Sequence, residues 1–277
     1  MKKNSKIYAW GVDLMTNDLG FRDNRNEIPS KKKDEFRIVV LGDSFTVSAG
    51  VEFERIYTSL LKNKIKNVLP EVEIINLAVG GYNIVQYQMV LEEIGLKLSP
   101  DMVLVSVFPY NDFEMNAYEE NYLIALGQYQ QKTLPWYQQL YVYRAYLRRL
   151  EVFLEQLLEW GNEQPKNSDE YRQGGWDENI AALDEISRIS GKNNIIMAAA
   201  VLPNTGGFER QQEIVRKLKE HCEKRGIFVV DLYEPFISLG SKGSDLRLNL
   251  LDEHPNEKYN ALVADVLYPH LVKLIAE

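Results

Sequence analysis

Five short apolar runs, separated by stretches of helical periodicity, constrain this chain more than any other feature. They cover Arg37–Leu41, Glu73–Leu77, Asp101–Phe108, Asn194–Leu202 and Ile227–Leu232. Helices are predicted around Phe53–Val68 and Asn83–Leu96, then over Glu209–Arg225 and Asn256–Ala276. Strands alternating with helices predict a parallel sheet covered on both faces. The Asp101–Phe108 run follows Ser99-Pro100 and is apolar enough to be a central strand buried on both sides. In an open sheet of this kind, ligand sites lie outside the carboxyl ends of the strands. The loops after the first three runs are therefore where chemistry is expected.

The first of those loops continues Gly42-Asp43-Ser44-Phe45-Thr46, with Ser44 opening a predicted helix. A hydroxyl there stands beside the free N–H groups and positive end of a helix, which suits a nucleophile whose oxyanion needs a donor. The alternative is that Ser44 simply N-caps the helix. A serine nucleophile needs a base titrating near neutrality, and that base needs an orienting carboxylate. The chain has three histidines. His221 falls late in a charged helix, where a cation is unremarkable, and His270 lies in the terminal amphipathic helix. His254 alone sits in a Pro-bounded loop before a helix, two residues after Asp252. In an extended segment those positions project to one side, so His254 is the candidate base and Asp252 its acid.

Four blocks occur in order: Gly42-Asp43-Ser44, Asn76 through Gly80-Gly81-Tyr82, Asn111-Asp112, and Asp252 with His254. Together they resemble the SGNH (GDSL-type) hydrolase family over nearly the whole chain. The Asn17–Asp23 lead-in is also similar to that of many bacterial members, often found behind a membrane anchor. The resemblance implies a flavodoxin-like three-layer α/β/α sandwich with a parallel sheet of about five strands. It implies a serine esterase working through Ser44, His254 and Asp252. The Ser44 and Gly81 backbone N–H groups and the Asn111 side chain would form the oxyanion hole. Taken alone, Gly81 reads as a tight strand-to-helix turn and Asn111 as a cap. Two departures stand out. The common pattern places the acid three residues before the histidine, where this chain has Leu251; Asp252 matches branches that include ones associated with polysaccharide acetylation. Tyr110 precedes Asn111 where many relatives carry glycine.

Composition agrees with one α/β domain, taken as 37–277 behind a packed lead-in, 1–36. At 45% apolar residues the core is sizeable. A formal charge of −8, without a basic stripe, argues against nucleic acid. The lone Cys222 allows no internal disulfide, and no zinc spacing exists. No metal or cofactor is expected. Gly-x-Ser-x-Gly, Gly-x-Gly-x-x-Gly and Walker patterns are absent. No run approaches the roughly 20 apolar residues of a membrane span. The chain as it stands reads as soluble, either cytoplasmic or the outer domain of an anchored parent.

A helical insertion is expected around 114–175. Trp136, Leu140, Tyr143, Leu147, Leu150, Leu154 and Leu157 make one apolar stripe, wide enough to pack on the core, cover the site or join two copies as a homodimer. Gly161–Gly175, with Pro165 and a Gly174-Gly175 pair, reads as a loop. Phe108, Tyr110, Phe113, Tyr118 and Tyr122 cluster after the third run; Tyr110, with Tyr82, is a candidate substrate contact. The expected substrate is a short acyl ester, acetyl above all, of a carbohydrate or small metabolite. The alternatives are a polysaccharide acetyltransferase using the same residues and an inactive carbohydrate-binding relative.

Overall fold

The computed structural model describes residues 2–114, 168–205, 211–238, 243–249 and 252–276. An antiparallel hairpin, β1 (Lys6–Ala9) and β2 (Val12–Met15), precedes the main sheet. The chain then runs through β3 (Phe36–Leu41), the single-turn α1 (Ser44–Val47), α2 (Tyr57–Ile65), β4 (Val72–Asn76), α3 (Ile84–Glu93) and β5 (Met102–Val107). A π-turn, Tyr110–Glu114, follows. The described chain resumes with α4 (Ser168–Lys192), β6 (Ile196–Val201), α5 (Gln212–Arg225), β7 (Phe228–Asp231) and α6 (Tyr233–Ser238). It closes with a second small hairpin, β8 (Arg247–Asn249) and β9 (Asp252–Pro255), and with α7 (Glu257–Ala276).

The five central strands are all parallel, in the order β4-β3-β5-β6-β7. Successive side chains alternate between two cores, as a pleated strand requires. Val39, Leu41, Val103, Val105 and Val107 pack on one face with Tyr87 and Leu91 of α3, Leu183 and Ile186 of α4, and Leu218 of α5. Ile38, Val40, Met102 and Leu104 pack on the other with Leu61 of α2 and Val263, Leu267 and Leu271 of α7. The sheet is thus the middle of three layers.

The strand order fixes where a site can form. The connection leaving β3 goes to α2 on one face, whereas the connection leaving β5 leads to α4 on the other. The chain therefore divides between these two neighbouring strands, which opens a crevice beyond their carboxyl ends. Ser44 follows β3, Gly81 follows β4 and Asn111 follows β5, so all three loops meet there.

Two local expectations need correction. The helix anticipated from Phe53 is broken: Phe53–Arg55 is a 3₁₀ turn, Ile56 is extended and fully buried, and α2 begins only at Tyr57. The stretch 168–175, read as loop for its glycine pair, is the first part of α4. Each glycine costs a helix about 1 kcal/mol relative to alanine. Burial of Ile180, Leu183 and Ile186, with Trp176 against Phe113 at 4.7 Å, outweighs that cost. The Trp136–Leu157 stripe, the homodimer contact expected of it, Tyr118 and Tyr122 lie outside the described residues. Among the described residues no helix is long and apolar enough to cross a membrane.

Candidate active site

The turn after β3 is determined by buried neighbours. Gly42 is required by space: a Cβ there would sit 2.3 Å from Thr46 Oγ1. Asp43, not Ser44, caps the short helix, its Oδ1 accepting the Phe45 N–H at 2.9 Å. Ser44 is therefore free of the capping task and occupies the first helical position. One turn of helix carries little macrodipole, so stabilisation of charge at Ser44 must come from individual N–H groups rather than from a long helix.

Below the turn, the Tyr57 hydroxyl donates to Thr46 Oγ1 at 3.1 Å and lies 2.6 Å from Ser106 Oγ. Asn76 Nδ2 donates to the Thr46 carbonyl at 3.1 Å. Arg22, only 2% exposed, closes the far end: its Nη1 donates to the Val47 and Ser48 carbonyls and its Nη2 to that of Val51. Burial pulls the guanidinium pKa down to about 10, which leaves it charged at neutral pH.

The β4 and β5 loops are joined to this turn and to each other. The Val79 N–H donates to the Gly42 carbonyl at 3.0 Å, and Gly81 adopts φ +79°, which favours glycine. Asn111 is nearly buried, and its Nδ2 donates to the Tyr82 carbonyl at 2.5 Å. Tyr82 thus holds Asn111 through its main chain while its ring packs on the core. Asp112 accepts the Phe108 N–H at 2.8 Å and the Tyr87 hydroxyl at 3.1 Å. Burial pushes the Asp43 carboxyl up to about 7. Burial, then the charge of Asp43, holds Asp112 well above the carboxylate range. Two such acids cannot both ionise readily, so the pair retains a proton.

The base side is built differently. On the extended β9, His254 Nδ1 lies 2.7 Å from Asp252 Oδ1, and the same oxygen accepts the His254 backbone N–H at 3.1 Å. A neutral ring donating from Nδ1 leaves Nε2 as an acceptor. The Asp252 side chain is 10% exposed and the His254 ring 45%. The Thr205 hydroxyl donates to the Glu253 carbonyl, and Asn256 ties the segment to the Asp245 and Arg247 carbonyls while capping α7 through the Tyr259 N–H. The His254 ring lies against Phe45, which stacks on Phe108 at 3.7 Å.

Ser44, Gly81, Tyr110, Asn111, Asp252 and His254 all line one cavity of about 780 Å³. Tyr82 does not contribute to that lining. Ser44 Oγ has no hydrogen-bond partner among the described residues. His221 instead pairs with Asp184 at 2.7 Å, and His270 stands near Phe228. Cys222 is buried, its thiol pushed up to about 12. Among the described residues no three His, Cys, Asp or Glu side chains converge as a metal site would need. Sequence reasoning missed the cavity's outer wall, formed by Ile7, Trp10 and Leu14 of the first hairpin and by Leu248 of the second. The signal available was Trp10-Gly11 between two short alternating runs.

A doubly wound sheet that sets a serine at its division point, lining one cavity with a carboxylate-paired imidazole, fits an α/β enzyme class built for acyl chemistry. The chain belongs to the GDSL-like Lipase/Acylhydrolase family, whose model matches residues 40–262, and it is a serine ester hydrolase of that family. Comparison of the sequence with curated proteins gives no match. Among solved structures it is similar to the psychrotrophic esterase EstA from Pseudoalteromonas sp., at 16% identity and a TM-score of 0.54 over 88% of this chain and 100% of that one. The acetyl xylan esterase AlAXEase is similar at 16% identity and a TM-score of 0.53, over 85% and 99%. The lipase/acylhydrolase from Enterococcus faecalis is similar at 17% identity and 0.52, over 85% and 95%. These likenesses concern the fold.

Proposed function

We propose that this chain hydrolyses short acyl esters, acetyl above all, carried by a carbohydrate or small metabolite, with Ser44 as nucleophile, His254 as base and Asp252 as the acid that orients it. The observation that carries the reading is the 2.7 Å Asp252–His254 contact inside the cavity that Ser44 also lines. Ser44 Oγ attacks the ester carbonyl and gives its proton to His254 Nε2. The Ser44 and Gly81 N–H groups and the Asn111 side-chain amide meet the tetrahedral oxyanion. Collapse expels the alcohol, which takes the proton from Nε2, and leaves an acyl-serine. Water then gives a proton to Nε2 and attacks that ester; the acid departs and Ser44 recovers its proton. The Ser44–His254 hydrogen bond would form when substrate is bound, as catalytic hydrogen bonds often do.

Hydrolysis is favoured over transfer to a sugar because the His254 ring is 45% exposed, so water reaches the acyl-enzyme. The acetyl preference draws on the likeness to a structure described as an acetyl xylan esterase. An inactive binding role does not account for an imidazole held by a carboxylate in the same cavity as an unpartnered serine.

The EstA structure is described as inhibited by monoethylphosphonate, so a phosphonate is a suitable probe. Intact mass after treatment with a fluorophosphonate should show one adduct on the native protein and none on Ser44→Ala. Esterase activity of that variant should fall by about 10⁴-fold or more. An adduct on the variant, or full retention of its turnover, would exclude Ser44 as the nucleophile.

A further inference from the structure

We infer that Trp10 is a specificity-determining residue: its indole, with the Tyr110 ring, forms an aromatic platform on which a sugar ring in the alcohol part of the substrate stacks. The inference rests on the esterase reading above and adds to it the residues that choose the alcohol.

Three observations lead to it. Trp10 is 57% exposed and yet lines the cavity, beside Ile7 and Leu14. With Ile7 49% and Tyr8 75% exposed on the same hairpin, Trp10 belongs to an exposed apolar patch, and such patches beside a concave site mark binding. Secondly, Trp10 and Gly11 form the two-residue turn of the β1–β2 hairpin, with φ +53° and +85°. That turn favours Asn, Asp or Gly at its first position, and a bulky residue held left-handed is strained. The indole is held at the turn tip against the local backbone preference, and such strain clusters at functional sites.

The third observation is the size of the cavity. An acetyl group fills on the order of 60 Å³, about two waters' worth of liquid volume. Nearly all of the cavity of about 780 Å³ therefore remains for the rest of the ester. Trp10 and Tyr110 supply aromatic surface in a lining that is mainly apolar, and Asn111 and Asn204 stand among the few polar residues there. Aromatic faces with polar side chains nearby match a pyranose, which has one apolar face and a rim of hydroxyls.

The test compares two esters on the full chain: 4-nitrophenyl acetate, which has no sugar, and an acetylated xylo-oligosaccharide. Trp10→Asn removes the indole while suiting the turn, so the variant should fold at least as well as the native protein. On the oligosaccharide its kcat/KM should fall roughly tenfold, mainly through KM, and Trp10→Phe should recover part of the loss. On 4-nitrophenyl acetate the change should stay within twofold. Equal changes on both esters would overturn the proposal. So would a loss that appears only on 4-nitrophenyl octanoate, since the wall would then hold the acyl chain. Ser44-dependent cleavage of the nitrophenyl ester alone, with none of the oligosaccharide, would overturn the sugar platform and leave the esterase reading standing. If neither ester is cleaved, the esterase reading fails; tryptophan fluorescence then decides the platform separately. Quenching by unacetylated xylo-oligosaccharide in the native protein but not in Trp10→Phe supports it, and no quenching overturns it.

Discussion

The nucleophile side and the base side of the candidate site are held by different physics. Ser44 sits on a turn locked from below by Asp43, Thr46, Asn76 and Tyr57 and from behind by Arg22, all of them buried. His254 sits on a two-stranded hairpin, its ring 45% exposed, oriented by a single carboxylate. A serine must be placed against several fixed donors at once, which calls for a rigid, fully satisfied surround. A base must swing its proton between nucleophile, leaving group and water, which needs access. Substitutions on the nucleophile side should therefore damage stability together with activity. Those on the base side should damage activity alone.

The largest test of this contrast is on the exposed side. Asp252→Asn keeps the size of the side chain but presents an amide to Nδ1, favouring the wrong tautomer. Turnover should fall by about 10²–10⁴-fold, while the melting temperature shifts by only about 2 °C, because the amide oxygen can still accept the His254 backbone N–H. A loss smaller than about tenfold, roughly 1.4 kcal/mol of barrier, would make Ser44 and His254 a two-residue system and Asp252 a bystander. Glu253 is no substitute, because the neighbouring position on an extended strand points the other way.

Arg22→Leu makes the opposite case. It removes the donors from three buried carbonyls at the end of the nucleophile turn. Each unmet group costs about 1–3 kcal/mol, and partial relaxation should leave a net loss of about 2–4 kcal/mol. For a chain of this size that lowers the melting temperature by roughly 5–12 °C. Calorimetry on this variant and on His254→Ala would sharpen the contrast: a drop in the first and none in the second is expected. Equal, small shifts would mean that the turn does not depend on its buried arginine.

Arg22 also shows what the sequence hides. The five strands were legible because period and β-branching survive in a single chain, and their observed ends fall within two residues of those expected. Ser44, Gly81, Asn111, Asp252 and His254 stood in recognisable blocks, and the fold brings those blocks to one cavity. Nothing in composition distinguishes Arg22, with its three carbonyl partners, from a solvated arginine. Ser44 looked like a helix cap because Asp43, the actual cap, is an equally common choice. The Gly174-Gly175 pair looked like a loop because local propensity argues for one, and only tertiary packing overrules it. The Trp10 hairpin escaped because Trp10-Gly11 carries only half of the turn signal: the glycine fits, but a bulky residue at the first position does not.

The smallest and most specific test concerns the buried acid. With its folded-state pKa near 7 rather than near the usual 4 or so, Asp43 keeps its proton in the native protein over a window where the unfolded chain has lost it. Between those values the native state binds more protons, so stability contributed by this group declines as pH rises through the window, and the decline is complete above about 7. Asp43→Asn cannot titrate but still offers an oxygen to the Phe45 N–H. The native melting temperature should therefore fall more steeply than the variant's between about pH 4 and pH 7. Subtracting the two curves removes what other acids contribute to both, apart from Asp112, which loses the charge of its neighbour. Parallel native and Asp43→Asn curves would place the retained proton elsewhere, on Asp112, and would move the electrostatic strain of the site from the nucleophile turn to the loop after β5.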